Sequence, residues 1–224
     1  MKKLSVAIDG PAGAGKSSVS KILAKRMGYT YLDTGAMYRA VTYEAQRLGL
    51  ESDDEIIAMA KALRMTVAPG DTGMRVFLDE REVTGELRTP QVSGAVSRVS
   101  VIPEVREVLV TLQRRFAAEG GTVLDGRDIG TVVLPRADVK IFLTASPRTR
   151  AIRRYKELCE KEPGITVEEI EKDIIRRDEL DSTRKSSPLR PAEDAVRLDN
   201  SDLTLEETAE AIMKICGEKA GEKE

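Results

Sequence analysis

The stretch "VAIDGPAGAGKSSVSK", residues 6–21, joins an apolar run to a loop of glycine and alanine, then to a lysine and two serines. Its middle, Gly10-Pro11-Ala12-Gly13-Ala14-Gly15-Lys16-Ser17, matches the pattern G-x-x-x-x-G-K-[ST] without exception. Glycines let the backbone curl so that successive N–H groups face inward as an anion nest. A helix is expected from Lys16 to Met27, with Val19, Ile22, Leu23 and Met27 at helical spacing, and its dipole adds positive potential at the loop. In this pattern the lysine reaches the β- and γ-phosphates of a nucleoside triphosphate, and the Ser17 hydroxyl suits Mg²⁺. A glycine-rich turn between any strand and any helix is the bland alternative. The apolar strand before the loop and the amphipathic helix after it supply the context the motif needs.

The rest of the composition narrows the chemistry. Across 224 residues, 36 Lys and Arg face 38 Asp and Glu, a formal net charge of -2. A polyanion-coating protein carries a basic excess, so no nucleic-acid partner is expected. There is no histidine. That removes Ser-His-Asp hydrolysis and every His-based zinc site. The two cysteines, Cys159 and Cys216, are far apart and in helix-like sequence, so free thiols in a reducing cytosol are expected. The apolar run after Met1-Lys2-Lys3 is too short for a signal segment, and no stretch reaches membrane-spanning length. A cytoplasmic protein without a membrane partner is expected.

Strand and helix signals alternate outward from the loop. Leu4 to Ile8 reads as a buried parallel strand, Tyr29 to Leu32 as a second, and Thr122 to Leu124, Val139 to Leu143 and Ala195 to Leu198 as three more. Helices intervene, and Ser52 with Glu55, Thr166 with Glu169 and Thr204 with Glu207 are capping boxes that mark three helix starts. The fold class is therefore α/β: a central parallel sheet of about five strands flanked by helices. Between Met65 and Leu87 the signals become those of short antiparallel strands, with turns at Gly70-Asp71-Thr72-Gly73 and Asp79-Glu80. A helix from Thr89-Pro90 completes an inserted α+β subdomain. The expected organisation is a single domain, 1–224, with a core of 1–64, 104–150 and 185–224, an insert of 65–103 and a helical lid of 151–184 around Pro163 and Gly164. The polar tail from Gly217 is expected to fray.

Three function classes share such a loop: a small-molecule kinase, a GTPase-like switch, and a module that binds nucleotide without turnover. A guanine-specifying N-K-x-D string is missing, since Asn200 is the sole asparagine. A kinase needs a second anion site and a closing element that brings positive charge. Asp33-Thr34-Gly35-Ala36-Met37-Tyr38-Arg39 offers a carboxylate at a strand's end and an arginine one turn further on. Asp125-Gly126-Arg127-Asp128 follows the third strand, where Asp125 suits Mg²⁺ and Arg127 and Asp128 are expected in the same crevice. Arg150, Arg153 and Arg154 share one helical face, and Arg177, Asp181 and Arg184 another. Charged helices are more often solvated faces than sites.

These residues, taken in order, resemble the bacterial cytidylate kinases, within the P-loop nucleoside monophosphate kinases. "IDGPAGAGKSS", "LDTGAMYR", "GELRTPQVSGAVSRVSVIPEVRE", "DGRDIGTVV", "KIFLTAS" and "RRDELDSTR" carry the resemblance, from about Leu4 to Ile215. It implies a P-loop NTPase-type fold and transfer of a phosphoryl group from ATP to CMP or dCMP. Gly10 to Ser18 would hold the donor, and Ser17 with Asp33 or Asp125 would hold Mg²⁺. Ser97, Arg106 and Asp128 would read cytosine. Arg39, Arg127 and Arg184 would hold the acceptor's phosphate with Thr34, and Arg177 and Asp181 would address the sugar. Lys16, Arg153, Arg154 and Asp33 are the catalytic candidates. A monomer is expected. UMP as acceptor and a nucleotide-binding switch are the alternatives.

Overall fold

The computed structural model describes residues 3–70, 73–160 and 164–221. The chain forms two compact units, one of Thr30–Glu119 and one built from the chain before and after it. The insert expected at 65–103 lies wholly inside the first-named unit.

The discontinuous unit is organised by β1 (Ser5–Asp9), whose Val6, Ala7 and Ile8 are fully buried. β1 pairs in parallel with β6 (Thr122–Gly126) on one side and β7 (Val139–Thr144) on the other. β7 pairs in parallel with β8 (Val196–Asp199). A central strand touches apolar neighbours on both faces, which is why this run does not alternate. α1 (Lys16–Met27) packs on β6 and β1 and against α8 (Leu205–Gly221). It ends at Gly28, whose φ of 64° closes the helix so that Tyr29 N donates to Ala24 O.

α6 (Pro147–Leu158) and α7 (Val167–Thr183), the segment expected as a lid, pack on each other through Ala151, Ile170 and Ile174. Pro163 lies outside the described residues. The tail departs from expectation. α8 runs on to Gly221, because Ile212 and Cys216 lie one turn apart and are both buried, and this anchors the polar turns beyond. Both cysteines are free thiols. Among the described residues no helix is long and apolar enough to cross a membrane.

The continuous unit begins with β2 (Thr30–Asp33), so all five strands expected of the parallel sheet form. α2 (Thr34–Leu48) follows with no intervening loop, because Asp33 caps it by accepting from Ala36 N. α3 (Asp53–Ala62) opens on the Ser52/Glu55 capping box. β3 (Met65–Gly70), β4 (Gly73–Leu78) and β5 (Arg81–Glu82) make the separate antiparallel sheet. Of its first turn, Gly70 and Gly73 pair, while Asp71 and Thr72 lie outside the described residues. At the second turn Asp79 and Glu80 both adopt positive φ, as a two-residue type I′ hairpin requires. A 3-10 turn (Glu86–Arg88) leads to α4 (Pro90–Val99) and α5 (Pro103–Ala117), which pack on α2 and α3.

Candidate active site

The loop between β1 and α1 is held by its carbonyls. Arg150 Nη1 donates to Ala12 O at 3.0 Å, and Asn200 Nδ2 donates to Ala14 O at 3.1 Å. In a trans peptide the C=O and the following N–H point in opposite directions. Fixing those two carbonyls therefore turns the N–H groups of Gly13 and Gly15 to the other side, as an anion nest needs. Gly10, at φ 147°, has a reason of its own: a Cβ there would lie 1.9 Å from Leu143 O. Pro11 O accepts from Lys16 Nζ at 2.7 Å, and Ser18 is exposed on the first turn of α1.

Lys16 is buried. Burial holds its amine well below the ordinary lysine range, and the Arg127 guanidinium adds to this, while Asp125, Asp9 and Asp181 pull the other way. An amine so placed gains from any anion that arrives. Ser17 Oγ donates to Asp125 Oδ2 at 2.7 Å, joining the first residues of α1 to the end of β6. This hydroxyl and buried carboxylate are hard oxygen donors, of the kind Mg²⁺ takes.

Beyond β6 the chain places Arg127 and Asp128 beside α7. Arg127 Nε donates to Asp181 Oδ2 at 2.8 Å, and Arg184 Nη2 lies 3.9 Å from Asp128 Oδ1. Lys16, Arg127, Asp128, Asp181 and Arg184 are thus brought together within one unit, and Arg177 lies one turn before Asp181 on α7. The arginines of α6 part company. Arg153 donates to Asn200 Oδ1 and O, whereas Arg154 makes an exposed pair with Glu157.

The other unit carries a second cluster. Asp33 Oδ2 accepts from Arg39 Nη2 at 2.9 Å and from Arg88 Nη2 at 3.1 Å. Thr34 is buried at the start of α2. Arg106, buried on α5, stacks its guanidinium 5.6 Å from the Tyr38 ring centre and donates to Ser100 O. Ser100 Oγ donates in turn to Ser97 O, so Ser97 and Arg106 are linked through one residue.

A profile of the cytidylate kinase family matches residues 6–218. The chain belongs to the cytidylate kinase family. The cytidylate kinase of Carboxydothermus hydrogenoformans is 52% identical over 216 residues, covering 96% of this chain and 97% of that one. That of Enterococcus faecalis is 49% identical over 224 residues, covering 99% of each. Among solved structures, a shikimate kinase from Bacteroides thetaiotaomicron is similar in fold, with a TM-score of 0.50 at 13% identity, covering 96% of this chain and 98% of that one.

Four residues of this cytidylate kinase family member escaped the sequence reading of the site. Asp9 accepts from Ile129 N and Gly130 N at 2.7 Å each, and so pins the π turn (Ile129–Val133) that follows Asp128. Its signal was a carboxylate at the end of a buried strand with no local partner. Arg150 sat on a helical face whose charges suggested solvent. Asn200 carries no site signal in the sequence beyond the missing N-K-x-D string. Arg88 lies in the stretch "GELRTPQVSG", where no local pattern gives it a role.

Proposed function

We propose that the protein transfers the γ-phosphoryl group of ATP to CMP or dCMP, giving ADP and CDP or dCDP. The observation that carries this reading is the group of two arginines and two aspartates beside the phosphate loop. Arg127 is close enough to Lys16 to depress its basicity, and Asp128, Asp181 and Arg184 lie around it. A switch that only holds nucleotide has no use for a further anion site there. An enzyme that must bring two phosphorylated substrates together does.

The loop N–H groups and Lys16 bind the donor's β- and γ-phosphates. Ser17 and Asp125 would hold Mg²⁺, which when bound offsets phosphate charge. For the acceptor, Arg127 and Arg184 bind the phosphate, Arg177 and Asp181 the sugar, and Asp128 the exocyclic amine of cytosine. From the other unit, Arg39 and Thr34 serve the phosphate, and Ser97 and Arg106 the base. A carboxylate accepts from the cytosine amine, and a guanidinium donates to its ring acceptors. Asp33, engaged by two arginines and a helix N-terminus, acts by orienting them.

An acceptor phosphate oxygen attacks the γ-phosphorus as the bond to the β-bridging oxygen breaks, and ADP leaves with that oxygen. A phosphate monoester with a second pKa near 6 is already a dianion at neutral pH, so no strong base is needed. A chain with no histidine can do this chemistry. Catalysis lies in alignment and in positive charge on the transferred group from Lys16 and α6. Arg154, tied by one exposed pair, is freer to turn toward that group than Arg153. We also propose that the enzyme acts as a cytoplasmic monomer. Incubation with Mg·ATP and CMP, followed by anion-exchange separation, should give ADP and CDP in equal amounts. ADP without CDP would overturn the reading.

A further inference from the structure

Asp9 ends β1, directly before the first glycine of the phosphate loop, and is buried. Its Oδ1 accepts from Ile129 N and its Oδ2 from Gly130 N, each at 2.7 Å. These are the two N–H groups that follow Asp128. The carbonyl of Asp128 is held as well, by Val132 N at 2.8 Å and Val133 N at 3.2 Å. Asp128 has φ −146° and ψ 28°, the backbone of neither helix nor strand, so no regular element sets the direction of its side chain. Gly130 lets the carboxylate come close: a Cβ there would lie 3.3 Å from Asp9 Oδ2 and 3.2 Å from Lys140 Cδ. Burial pushes the Asp9 carboxyl up to about 6, and the charge of Asp128 adds to the rise. At neutral pH the chain thus keeps a carboxylate here at a cost in stability that a neutral side chain would avoid. What the charge provides is two strong hydrogen bonds that fix the peptide planes after Asp128.

We propose that Asp9 is a positioning residue for recognition of the acceptor's base: by holding the N–H groups of Ile129 and Gly130 it fixes where the Asp128 carboxylate stands, and so sets how strongly cytosine is preferred to uracil. This rests on the reading above, in which Asp128 accepts from the cytosine amine. Uracil carries an acceptor oxygen where cytosine carries that amine. A carboxylate held in place attracts the one and repels the other. Hydrogen bonds weaken steeply with misalignment, so a carboxylate that can turn aside gives up the preference along with the affinity.

The test uses the full chain as wild type, Asp9→Ala, Asp9→Asn, Gly130→Ala and Asp128→Ala. It reads kcat and KM for CMP and for UMP, and KM for ATP. Asp9→Ala should lower the ratio of kcat/KM for CMP to that for UMP by roughly tenfold, mainly through KM for CMP, with KM for ATP within about twofold of wild type. Asp9→Asn keeps the shape and one acceptor oxygen, and should recover part of the ratio. Gly130→Ala presses on the same carboxylate from the other side and should also narrow the ratio. If Asp9→Ala does not fold, Asp9→Asn and Gly130→Ala decide the matter by the same ratio. Equal losses for CMP and UMP, with the ratio within about twofold of wild type, give Asp9 a merely structural role and overturn the proposal. A rise in KM for ATP as large as that for CMP assigns Asp9 to the phosphate loop and also overturns it. An unchanged ratio in Asp128→Ala brings down the reading of Asp128 itself, and this proposal with it.

Discussion

Ser17 Oγ donates to Asp125 Oδ2 across 2.7 Å, although the two residues are 108 positions apart. One closes the phosphate loop and the other lies one residue before the end of β6, so the parallel pairing of β1 with β6 creates the contact. The proton of the hydroxyl is committed to the carboxylate, and its lone pairs remain for a cation. Ser17→Ala should lower kcat and raise the Mg²⁺ concentration needed for half-maximal rate, each by roughly 10–100-fold. Its thermal midpoint should stay close to that of wild type. An unchanged Mg²⁺ requirement would remove Ser17 from the metal site.

Asp128 is buried, with Arg184 at 3.9 Å. If it reads the cytosine amine, Asp128→Ala should raise KM for CMP by roughly 10–100-fold, the loss expected for a charge-assisted hydrogen bond. KM for ATP should move by less than about twofold. Steady-state kinetics with each nucleotide varied in turn decides this. Equal losses for both would take Asp128 out of base recognition.

Asp9 sets a pH dependence. Burial pushes its carboxyl up from 3.8 to about 6, against the N–H donors of Gly130 and Ile129; Asp128 adds to the rise and Lys16 opposes it. The folded-state value is the higher one, so the native chain holds the extra proton between the two. Asp9's contribution to stability is full below about pH 3.8 and is lost as pH rises through about 6. That gap corresponds to about 3 kcal/mol. Asp9→Asn cannot titrate there. Its unfolding free energy should therefore gain on wild type by up to about 3 kcal/mol between about pH 4 and pH 7, read by urea denaturation. A difference that stays constant with pH would contradict this.

Arg150 joins the phosphate loop to α7. It donates to Ala145 O, to Ala12 O, and to Asp178 Oδ2 at 2.6 Å, with its side chain 3% exposed. Removing one partner of a buried pair costs about 3–5 kcal/mol. Arg150→Met should lower the thermal midpoint by roughly 6–20 °C. Adding Asp178→Leu should restore part of that, because no lone buried charge remains. A midpoint within about 2 °C of wild type in the single variant would mean the guanidinium holds nothing.

What the sequence made legible was local. The phosphate loop is contiguous, so its glycines, Lys16 and Ser17 could be read together. The capping boxes at Ser52/Glu55, Thr166/Glu169 and Thr204/Glu207 all formed, because each closes within four residues. What escaped depends on tertiary distance. Asp9 meets Ile129 across 120 positions, and nothing near Asp9 announces it. Arg150, Arg153 and Arg154 share one helical face by spacing, yet Arg150 is buried and Arg154 is not. Only the packing of α6 against α7 and the loop decides between them. Arg88 meets Asp33 across 55 positions, after a turn of the chain that no periodicity signals. The tail was misread because glycine and charge near Gly217 outweighed Ile212 and Cys216, whose burial carries the helix on.

The measurement that bears most directly on the account is a coupled ADP-release assay with Mg·ATP against CMP, dCMP, UMP, AMP and GMP in parallel. The account predicts strong turnover with CMP and dCMP, and UMP well behind, because uracil lacks the amine that Asp128 is assigned to read. Turnover favouring another monophosphate would keep a kinase but contradict the base-reading residues. No turnover with any of the five would contradict phosphoryl transfer itself.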